Sequence, residues 1–328
     1  MAERVSVIIP NWNGARFLPV CLGSLQRQTW RDFVTYVVDN GSVDASLELL
    51  RRDHPEVSVV GLPTNLGFSA AMNAGITASK GEIVVALNND TEVDSRWLEE
   101  LVRALDANPR VGSCASKVLA FTQRTEIDSF GDGYTRYGLA FKVGSRSIDD
   151  GRFARTETVF SACAAAAAYR RTMLDEIGNF DEDFFCYMED VDLGLRAQLA
   201  GFGCVAVPTA IVYHIGAAST GGGPTEFSVR MTTKNLFNVL IKNMPWPLLL
   251  AMLPLSLAAQ AVLLTRALLR PGDAALRPHL GGYWRGLVAA IRHAPAMLRK
   301  RRDVQRLRRI STRELVRLIR ASERQRLV

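Results

Sequence analysis

Short apolar runs rich in β-branched residues alternate with helix-like stretches over the first 120 residues of the 328-residue chain. The runs are short and almost wholly apolar, which is typical of strands in a sheet covered on both faces. The predicted strands are Val5–Ile9, Phe33–Val38, Val57–Gly61, Ile83–Leu87 and Val111–Val118. The predicted helices are Ala15–Gln28, Ala45–Arg52, Ser69–Ser79 and Arg96–Ala107. This alternation predicts right-handed βαβ units and an α/β fold with a mostly parallel sheet flanked by helices.

The chain between residues 121 and 160 lacks a regular pattern and carries two turn signals, Gly131-Asp132-Gly133 and Asp149-Asp150-Gly151. Clusters of Gly and Asp mark turns, so we expect loops or a small hairpin here that shape a substrate pocket. A helix is predicted from Glu189 to Gly201, where glycine suits the C-cap. A strand from Cys204 to Tyr213 follows it.

The character of the chain changes near residue 225, where we place a boundary between an α/β domain, residues 1–225, and a helical region, residues 226–328. The stretch Asn243–Thr265 contains no charged residue, and its apolar part is nearly long enough to cross a bilayer as a helix. Three prolines within it argue against a straight spanning helix. We expect an interfacial or re-entrant membrane segment, with a buried helix packed on the α/β domain as the alternative. The prolines are Pro245, Pro247 and Pro254.

Charge is divided unevenly between these two regions. The formal net charge is +7, from 40 Lys or Arg and 33 Asp or Glu. Of these, 17 basic and 4 acidic residues follow Thr265, so this tail carries +13 and the preceding residues carry −6. Such a tail indicates an anionic partner, and we expect an anionic membrane surface. The strongest basic clusters are Arg299-Lys300-Arg301-Arg302 and Arg306-x-Arg308-Arg309.

The five cysteines are scattered, with no Cys-x-x-Cys pair. This pattern favours reduced thiols in a cytosolic protein over a disulfide framework or a zinc site. The amino terminus enters a predicted strand directly and lacks the apolar stretch of a signal peptide. We therefore expect a cytoplasmic protein that is peripheral to, or anchored at, the inner face of the cell membrane.

Three carboxylates stand at the carboxyl ends of predicted strands or at the start of a predicted helix: Asp39, Asp90 and Asp190. An α/β sheet brings such positions together at one edge, where ligands bind beyond the strand ends. One acid could read a nucleotide, one could hold a metal on its diphosphate and one could act as a base. A transferase that uses a nucleotide-activated sugar needs these three functions.

Asp39 begins the motif Asp39-Asn40-Gly41-Ser42 directly after an apolar run. Asn-Gly is a strong turn former, so a purely structural turn is one interpretation. A carboxylate at this point can also accept the imide N–H of uracil or thymine. Two further motifs predict a helix amino terminus at the same edge, which favours phosphate. They are Asn65-Leu66-Gly67-Phe68 and Met72-Asn73-Ala74-Gly75.

Asp90 ends the motif Asn88-Asn89-Asp90, which follows a strongly apolar predicted strand. Asp90 could simply cap a turn, but hard divalent cations prefer oxygen ligands and share them with substrate phosphates. We predict that Asp90 binds such a cation and that Asn88 can supply a neutral oxygen. His214 follows another apolar run; a lone histidine is more often structural, but its place at a strand end makes it a second candidate.

The motif Glu189-Asp190-Val191-Asp192 opens a predicted helix, where acids often only complement the helix dipole. Four acids within ten residues exceed that need, and they lie among the aromatic residues Phe184, Phe185 and Tyr187. Acids beside apolar surface have raised pKa values, which suits a general base. Asp192 and Arg196 are four residues apart and are expected to form a structural pair.

In combination these motifs resemble those of family 2 glycosyltransferases with the GT-A fold, most closely the rhamnosyltransferase-like branch that builds bacterial surface polysaccharides. The resemblance extends over about residues 4 to 220 and implies a Rossmann-like sheet. It rests on Ser6–Asn13, Val38–Ser42, Asn65–Phe68, Leu87–Asp90 and Glu189–Leu193.

The resemblance also implies roles for individual residues. Asp39 would contact the base, Asp90 would bind Mg²⁺ or Mn²⁺ on the diphosphate with help from His214, and Asp190 would be the catalytic base. The usual Asp-x-Asp metal motif reads Asn88-Asn89-Asp90 here, so we expect weakened metal affinity. Residues expected to line the nucleoside pocket are Pro10, Asn11, Trp12 and Asn13. Other donor contacts are expected from Asn65, Gly67, Asn73, Asn88, Asn89 and Glu189.

The implied reaction is inverting transfer of a sugar, with L-rhamnose a candidate, from a dTDP- or UDP-linked donor. The acceptor would be a hydroxyl of a glycan or of a polyprenyl-linked glycan. Two alternatives belong to other classes. A nucleotidyltransferase would show a Gly-rich basic loop near Pro10, and none is present. A nucleic-acid-binding protein would interleave aromatic residues with its basic charge, and residues 299–328 contain none.

Overall fold

The computed structural model describes residues 3–216, 225–269 and 280–327, and its strands and helices begin and end close to the predicted positions. The first part of the chain contains β1 (Val5–Asn11), α1 (Leu18–Gln26), β2 (Phe33–Asn40), α2 (Ser46–Asp53), β3 (Ser58–Leu62), α3 (Phe68–Ala78), β4 (Ile83–Leu87), β5 (Thr91–Val93), α4 (Trp97–Ala107) and β6 (Val111–Ala120). Four short strands follow, β7 (Ile127–Ser129), β8 (Asp132–Tyr134), β9 (Ala140–Lys142) and β10 (Glu157–Val159). Then come β11 (Ala166–Arg170), α5 (Arg171–Ile177), a 3-10 turn (Glu182–Phe184), α6 (Glu189–Leu199) and β12 (Gly203–His214).

One mixed sheet organises the α/β domain, with the strand order β10-β12-β6-β11-β4-β1-β2-β3. The edge strand β5 pairs with β12 and β7 pairs with β6, while β8 and β9 form the small hairpin predicted between residues 121 and 160. Strands β1 to β4, β6 and β12 share one direction, and the other four strands of the sheet run opposite to them.

Strand β11 is the main departure from the predicted parallel sheet. It lies antiparallel between β4 and β6. A parallel strand needs a crossover, usually a helix, before it re-enters the sheet. After β6 the chain instead forms short strands and loops, so β11 enters from the carboxyl edge and runs in the reverse direction. Its alanines are all buried, and they extend the close packing beneath the site.

Helices cover both faces of the sheet because its strands alternate apolar residues between them. Val5, Val7 and Ile9 pack with α1, α2 and α4 on one face. Ile8 points to the other face, where α3, α5 and α6 pack. This period of two within β1 supplies both cores of a three-layer domain.

Four helices form the C-terminal region: α7 (Glu226–Asn243), α8 (Trp246–Leu269), α9 (Leu280–Leu307) and α10 (Thr312–Arg324). They share a core with α6. Helix α7 approaches α9 closely, because a Cβ atom on Gly282 or Gly286 would lie within 3 Å of the α7 backbone. Within the described residues, no helix combines the length and the hydropathy that crossing a bilayer requires.

Candidate active site

The carboxyl ends of β1 and β2 bring two predicted donor-site residues together. The register of these strands places Asn11 opposite Asp39. The Asn11 Nδ2 donates to Asp39 Oδ1 at 3.2 Å and to Ser42 Oγ at 3.3 Å. The Ser42 N–H donates to Asp39 Oδ2. Asp39 therefore also stabilises the turn that the Asn-Gly pair predicted. Asp39 is buried and still has free acceptor positions, since each carboxylate oxygen accepts more than one bond.

Asn13 continues this edge in a left-handed conformation with φ of 50°. Its backbone N–H donates to Ser42 Oγ, and its side-chain oxygen accepts the N–H of Val43. Trp12 beside it is 44% exposed, which leaves its ring open to a ligand. Pro10 is half-buried at the end of β1.

Gly14 is a residue that the sequence interpretation missed. Asn89 Nδ2 donates to Asn11 Oδ1 at 2.7 Å, which joins the ends of β4 and β1. A Cβ atom on Gly14 would lie 2.2 Å from both of these atoms. Only glycine leaves this bond intact, and its place directly after the polar motif that ends β1 was the available signal.

The loop between β3 and α3 contacts the end of β2 and the segment before α6. Asn40 donates to Asn65 Oδ1 and to the Gly67 carbonyl, and its own oxygen accepts the Leu66 N–H. Gly67 has φ of 90°, and a Cβ there would lie 2.5 Å from the carbonyl oxygen of Phe185. Asn40 therefore fixes this loop, a role not predicted.

Asn73 lies apart from this group of contacts. Its Nδ2 donates to the Phe180 carbonyl at 2.8 Å and to Glu182 Oε1 at 2.9 Å. Its side-chain oxygen accepts the Phe180 N–H. These bonds hold the segment around Phe180 against α3.

The two predicted metal ligands lie side by side at the ends of β4 and β12. His214 Nε2 is 3.3 Å from Asp90 Oδ1 and 3.4 Å from Asn88 Nδ2. Neighbouring ligand atoms of a small octahedral cation, each about 2.1 Å from the ion, lie roughly 3 Å apart. The Asp90 oxygen and the His214 ring nitrogen therefore fit two ligand positions of one divalent cation, with diphosphate oxygens as other ligands, whereas the Asn88 atom beside His214 is its amide nitrogen, which does not bind a cation.

Asp128 of β7, which was not predicted as a site residue, supports His214. Its Oδ2 lies 2.9 Å from His214 Nδ1, and its Oδ1 accepts from Lys142 Nζ at 2.8 Å. Burial alone would raise the pKa of Asp128, but the hydrogen bonds from His214 and Lys142 hold it well below its usual range. Burial lowers the pKa of His214, and hydrogen bonds to Asp128 and Asp90 outweigh this and raise it to about 9. A carboxylate on the second ring nitrogen is the usual support for a metal-binding histidine.

Asp190 lies at the start of α6 with its carboxylate fixed by two amides. Its Oδ2 accepts the Ala164 N–H at 3.0 Å and its Oδ1 accepts the Val191 N–H at 2.8 Å. Ala165 in turn accepts the Asn88 N–H at 2.8 Å. The alanine segment thus connects Asp190 directly to the strand end that carries Asp90.

Asp132 and Glu189 surround Asp190 with further buried acids. Oxygen and sulfur atoms of Asp132, Cys163 and Asp190 lie within 4.8 Å of one another. Burial raises the pKa of Asp190, and the amides of Ala164 and Val191 only partly offset this effect. Burial and the neighbouring Asp190 also raise the pKa values of Asp132 and Glu189. Because these acids are close together and buried, ionising a further carboxyl group is disfavoured, and the cluster readily holds a proton.

The segment before Asp190 has an unusual backbone. Phe185, Tyr187 and Met188 have φ values of 65°, 66° and 70°. Residues other than glycine rarely adopt this conformation, and the surrounding structure must stabilise it. Asn235 of α7 does so, because its Nδ2 donates to the carbonyl oxygens of Phe184, Cys186 and Tyr187 at 2.9, 2.9 and 2.7 Å.

Much of the basic charge in the tail binds the protein itself. Lys300 pairs with Asp181 and Asp183, and Arg301 is buried and donates to the Met244 carbonyl. Arg309 pairs with Glu176. The expectation that these clusters are free for headgroups is therefore wrong for these three residues, which instead attach α9 and its C-terminal end to the rest of the protein.

The sheet and the acids at its carboxyl edge define a GT-A type fold. The family model described as Glycosyl transferase family 2 matches residues 6–178. The chain belongs to this family, which confirms the resemblance found in the sequence. GalNAc-T7, solved with UDP, GalNAc and Mn²⁺, has a TM-score of 0.60 at 18% identity over 74% of this chain and 48% of that chain. This likeness shows the fold.

The chain is similar in sequence to two bacterial proteins. The chain is 27% identical over 252 residues to N-acetylglucosaminyl-diphospho-decaprenol L-rhamnosyltransferase of Mycobacterium tuberculosis, covering 69% of this chain and 80% of that protein. It is 31% identical over 228 residues to the uncharacterized protein y4gI of Sinorhizobium fredii, covering 66% of this chain. The matched part is 25% of the length of y4gI, so this relative is much longer.

Proposed function

We propose that this protein is an inverting glycosyltransferase that moves a sugar from a nucleoside-diphosphate donor to an acceptor hydroxyl. One observation carries the proposal. Asp190 binds the Ala164 amide while the next residue, Ala165, accepts the Asn88 amide, so a candidate base is held beside a candidate diphosphate site. Such proximity is the main requirement for transfer between two bound substrates.

The donor is inferred from the edge formed by β1 and β2. A uracil or thymine base would find the Asp39 carboxylate and the Trp12 ring there. Likeness to a rhamnosyltransferase favours dTDP-L-rhamnose, with a UDP-sugar as the second candidate. Asp90 and His214 would hold Mg²⁺ or Mn²⁺, and the bound cation would neutralise charge on the departing diphosphate. The Mn²⁺ bound to GalNAc-T7 supports this cofactor.

Asp190 would perform the proton transfer. Its carboxylate accepts the acceptor hydroxyl proton while that oxygen bonds to the anomeric carbon and the bond from this carbon to the diphosphate breaks. The amides of Ala164 and Val191 keep both carboxylate oxygens oriented. Burial raises the pKa of Asp190, which makes it a stronger base than an exposed aspartate.

The acceptor is inferred to be a glycan carried on a polyprenyl diphosphate at the cytoplasmic face of the membrane. The relative that acts on a diphospho-decaprenol substrate supports this class. Helix α8 supports a membrane surface, because Trp246, Leu250 and Leu257 on one of its faces are at least half exposed. We assign residues 1–225 to the catalytic domain and residues 226–328 to a membrane-associating region that also supports the site.

A direct assay tests the function. The full chain is incubated with dTDP-L-rhamnose or UDP-sugars, with Mg²⁺, Mn²⁺ or EDTA, and nucleoside diphosphate release and thermal shift are measured. Metal-dependent release of dTDP or UDP and stabilisation by one donor are expected, since a ligand selective for the folded state raises apparent stability. Release of pyrophosphate from a nucleoside triphosphate would instead identify a nucleotidyltransferase. Stabilisation by nucleic acid alone would indicate a binding protein.

A further inference from the structure

Helix α9 has two faces of opposite character. Gly282, Gly286 and Ala290 follow a spacing of four residues and are buried against α7. Trp284, Val288 and Ile291 lie on the opposite face and are 56%, 45% and 74% exposed. A helix in a soluble globular protein places polar residues on its outer face, so an exposed apolar row indicates an apolar partner.

A cleft of about 490 Å³ lies beside this row, between α9 and α7. Three arginines line it, Arg230 from α7 and Arg285 and Arg292 from α9, and all three are exposed. Arg285 pairs with Glu226. Among the residues that the structure describes, Arg230 and Arg292 have no acidic partner. Its remaining lining residues are Trp284, Val288, Ala289 and His293.

His293, which lines the cleft, has one ring nitrogen without a hydrogen-bond partner among the described residues. Its Nδ1 is buried and has no hydrogen-bond partner in the described parts of the chain. Burial, together with the nearby Lys234, lowers the pKa of this imidazole. Buried polar atoms nearly always have partners, so this ring nitrogen is an exception, and the unpaired Arg230 and Arg292 are the groups that favour an anionic ligand in the cleft.

The cleft lies close to the catalytic segment. Phe227, one helical turn before Arg230, places its ring 6.1 Å from that of Phe185. Lys234, one turn after Arg230, donates to the Asp183 carbonyl. Both partners belong to the segment that leads into Asp190. Arg230 is therefore one turn of α7 away from two residues that contact the segment before Asp190.

We propose that this arginine cleft binds the diphosphate of the lipid-linked acceptor, while Trp284, Val288 and Ile291 contact the start of its hydrocarbon chain. Each guanidinium group can donate two parallel hydrogen bonds to phosphate oxygens, and a diphosphate has enough oxygens to bind several guanidinium groups at once. Tryptophan is favoured where an apolar chain meets a polar headgroup. The proposal rests on the proposed function for the identity of the acceptor, but its test uses binding alone.

Vesicle flotation of the full chain tests the cleft with farnesyl diphosphate as the probe. Phosphatidylcholine vesicles contain farnesyl diphosphate, phosphatidylglycerol at equal surface charge, or neither. The protein is expected to prefer the farnesyl diphosphate vesicles. Arg230→Gln with Arg292→Gln should weaken that binding about 25-fold, since each arginine near an anionic surface contributes roughly fivefold. The matched pair Arg299→Gln with Arg302→Gln removes two exposed arginines from the same helix and should leave the preference for farnesyl diphosphate over phosphatidylglycerol unchanged.

A second pair of variants guards against loss of structure. Arg230→Lys with Arg292→Lys keeps the charge but removes the paired hydrogen bonds, so diphosphate preference should fall while binding to phosphatidylglycerol remains. Equal binding of the parent to both anionic vesicles would overturn the proposal. So would unchanged binding by both double variants of Arg230 and Arg292, the Gln pair and the Lys pair. Donor hydrolysis without acceptor should match the parent in all these variants. Absence of donor turnover in the parent would count against the proposed function and leave the binding result standing.

Discussion

Asp190 is surrounded by groups that keep it basic and correctly oriented, which leads to the first prediction. Asp190→Asn preserves the side-chain shape and the bond from Ala164, but an amide cannot accept the acceptor proton. We expect kcat to fall about 10²–10⁴-fold, the usual contribution of a general base, with an unchanged Kd for the donor. Steady-state release of nucleoside diphosphate and donor titration measure the two quantities.

A matched control separates this effect from a general loss of charge. Asp106→Asn alters an exposed aspartate that pairs with Arg4. This variant should transfer at the parental rate. Transfer by Asp190→Asn at a rate close to that of the parent would show that another group is the base, with the neighbouring buried acids Glu189 and Asp132 as candidates.

Asp90 carries the second prediction, which concerns the metal. Asp90→Ala should weaken binding of a nucleoside diphosphate much more than binding of the free nucleoside, because a cation contacts only the phosphates. Loss of a group that merely supports a ligand costs roughly 10–100-fold in metal affinity, and loss of the ligand itself costs at least as much. Calorimetry with dTDP and thymidine, each with and without Mn²⁺, measures the difference. Equal losses for both ligands would exclude the metal role.

Some of these residues could be predicted because their positions follow from strand ends. Asp39 and Asp90 end apolar runs, and parallel strands bring their carboxyl ends to one edge. Asp128 and Asp132 were missed because they lie in short strands of an irregular region, where no periodicity indicates which acid faces the sheet. Their role depends on contacts with His214 and Asp190, which are far away in the sequence.

Helix α7 shows why buried polar residues escape detection from a pattern. Asn235, Asn238, Lys242 and Asn243 are all buried, yet in the sequence they are indistinguishable from a solvated helix face. The partners of Asn235, Lys242 and Asn243 are carbonyls and acids of the 181–192 segment, which only the three-dimensional structure identifies. Helix and strand positions were predictable from local periodicity, whereas the reversed direction of β11 depends on where the preceding loops lead.

The third prediction follows from this contact between α7 and the catalytic segment. Asn235→Ala removes the donor that satisfies three carbonyls around residues in a left-handed conformation. Unfolding free energy should fall by about 1–3 kcal/mol, the cost of unsatisfied buried groups. Because the segment carries Asp190, kcat should fall at least about tenfold while the donor Kd is unchanged.

The control for this variant lies on the same helix. Asn243→Ala removes an equally buried amide that binds Asp192 instead of the segment carbonyls. It should lose similar stability and much less kcat. If both variants lose kcat in proportion to stability, Asn235 has no positioning role beyond holding α7 in place.

At the scale of the whole molecule, a buried ionic network joins the C-terminal helices to the α/β domain. Lys242 of α7 bridges Asp181 and Asp192 at 2.7 and 2.8 Å, and Lys300 of α9 reaches Asp181 at 2.5 Å. Asp192 also pairs with Arg196, as predicted. Removing one partner of such a network leaves an uncompensated buried charge, so the two regions are expected to unfold together.

This network gives the fourth prediction, which concerns pH. Burial would raise the pKa of Asp181, but Lys242 and Lys300 hold it well below its usual range. A depressed folded-state pKa stabilises the protein above the unfolded value of about 3.9, and this stability is lost as pH falls further. The Tm of the parent should therefore fall more steeply below pH 5 than the Tm of Asp181→Asn. Parallel curves for the two proteins would show that Asp181 contributes no pH-dependent stability.

The fifth prediction concerns the membrane contact proposed for α8. Leu250 and Leu257 are 70% and 50% exposed, and α8 buries only a narrow face against the protein. Exposed apolar side chains on a helix insert into the headgroup region, and acidic substitutions there oppose both burial and anionic lipid. Leu250→Glu with Leu257→Glu should abolish flotation with anionic liposomes, which high salt should also weaken in the parent.

Removing the whole C-terminal region would remove α7 together with α8. A chain that ends at residue 225 would lose Asn235 and Lys242 along with α8, so a change in its solubility would not identify the surface responsible. Surface substitutions in the full chain avoid this problem. Val59→Glu with Ile148→Glu changes two other exposed apolar residues, 42% and 49% exposed, and should leave flotation unchanged. If both pairs of substitutions reduce flotation equally, the added negative charge is the cause. If the α8 variant floats as well as the parent, the membrane contact lies elsewhere.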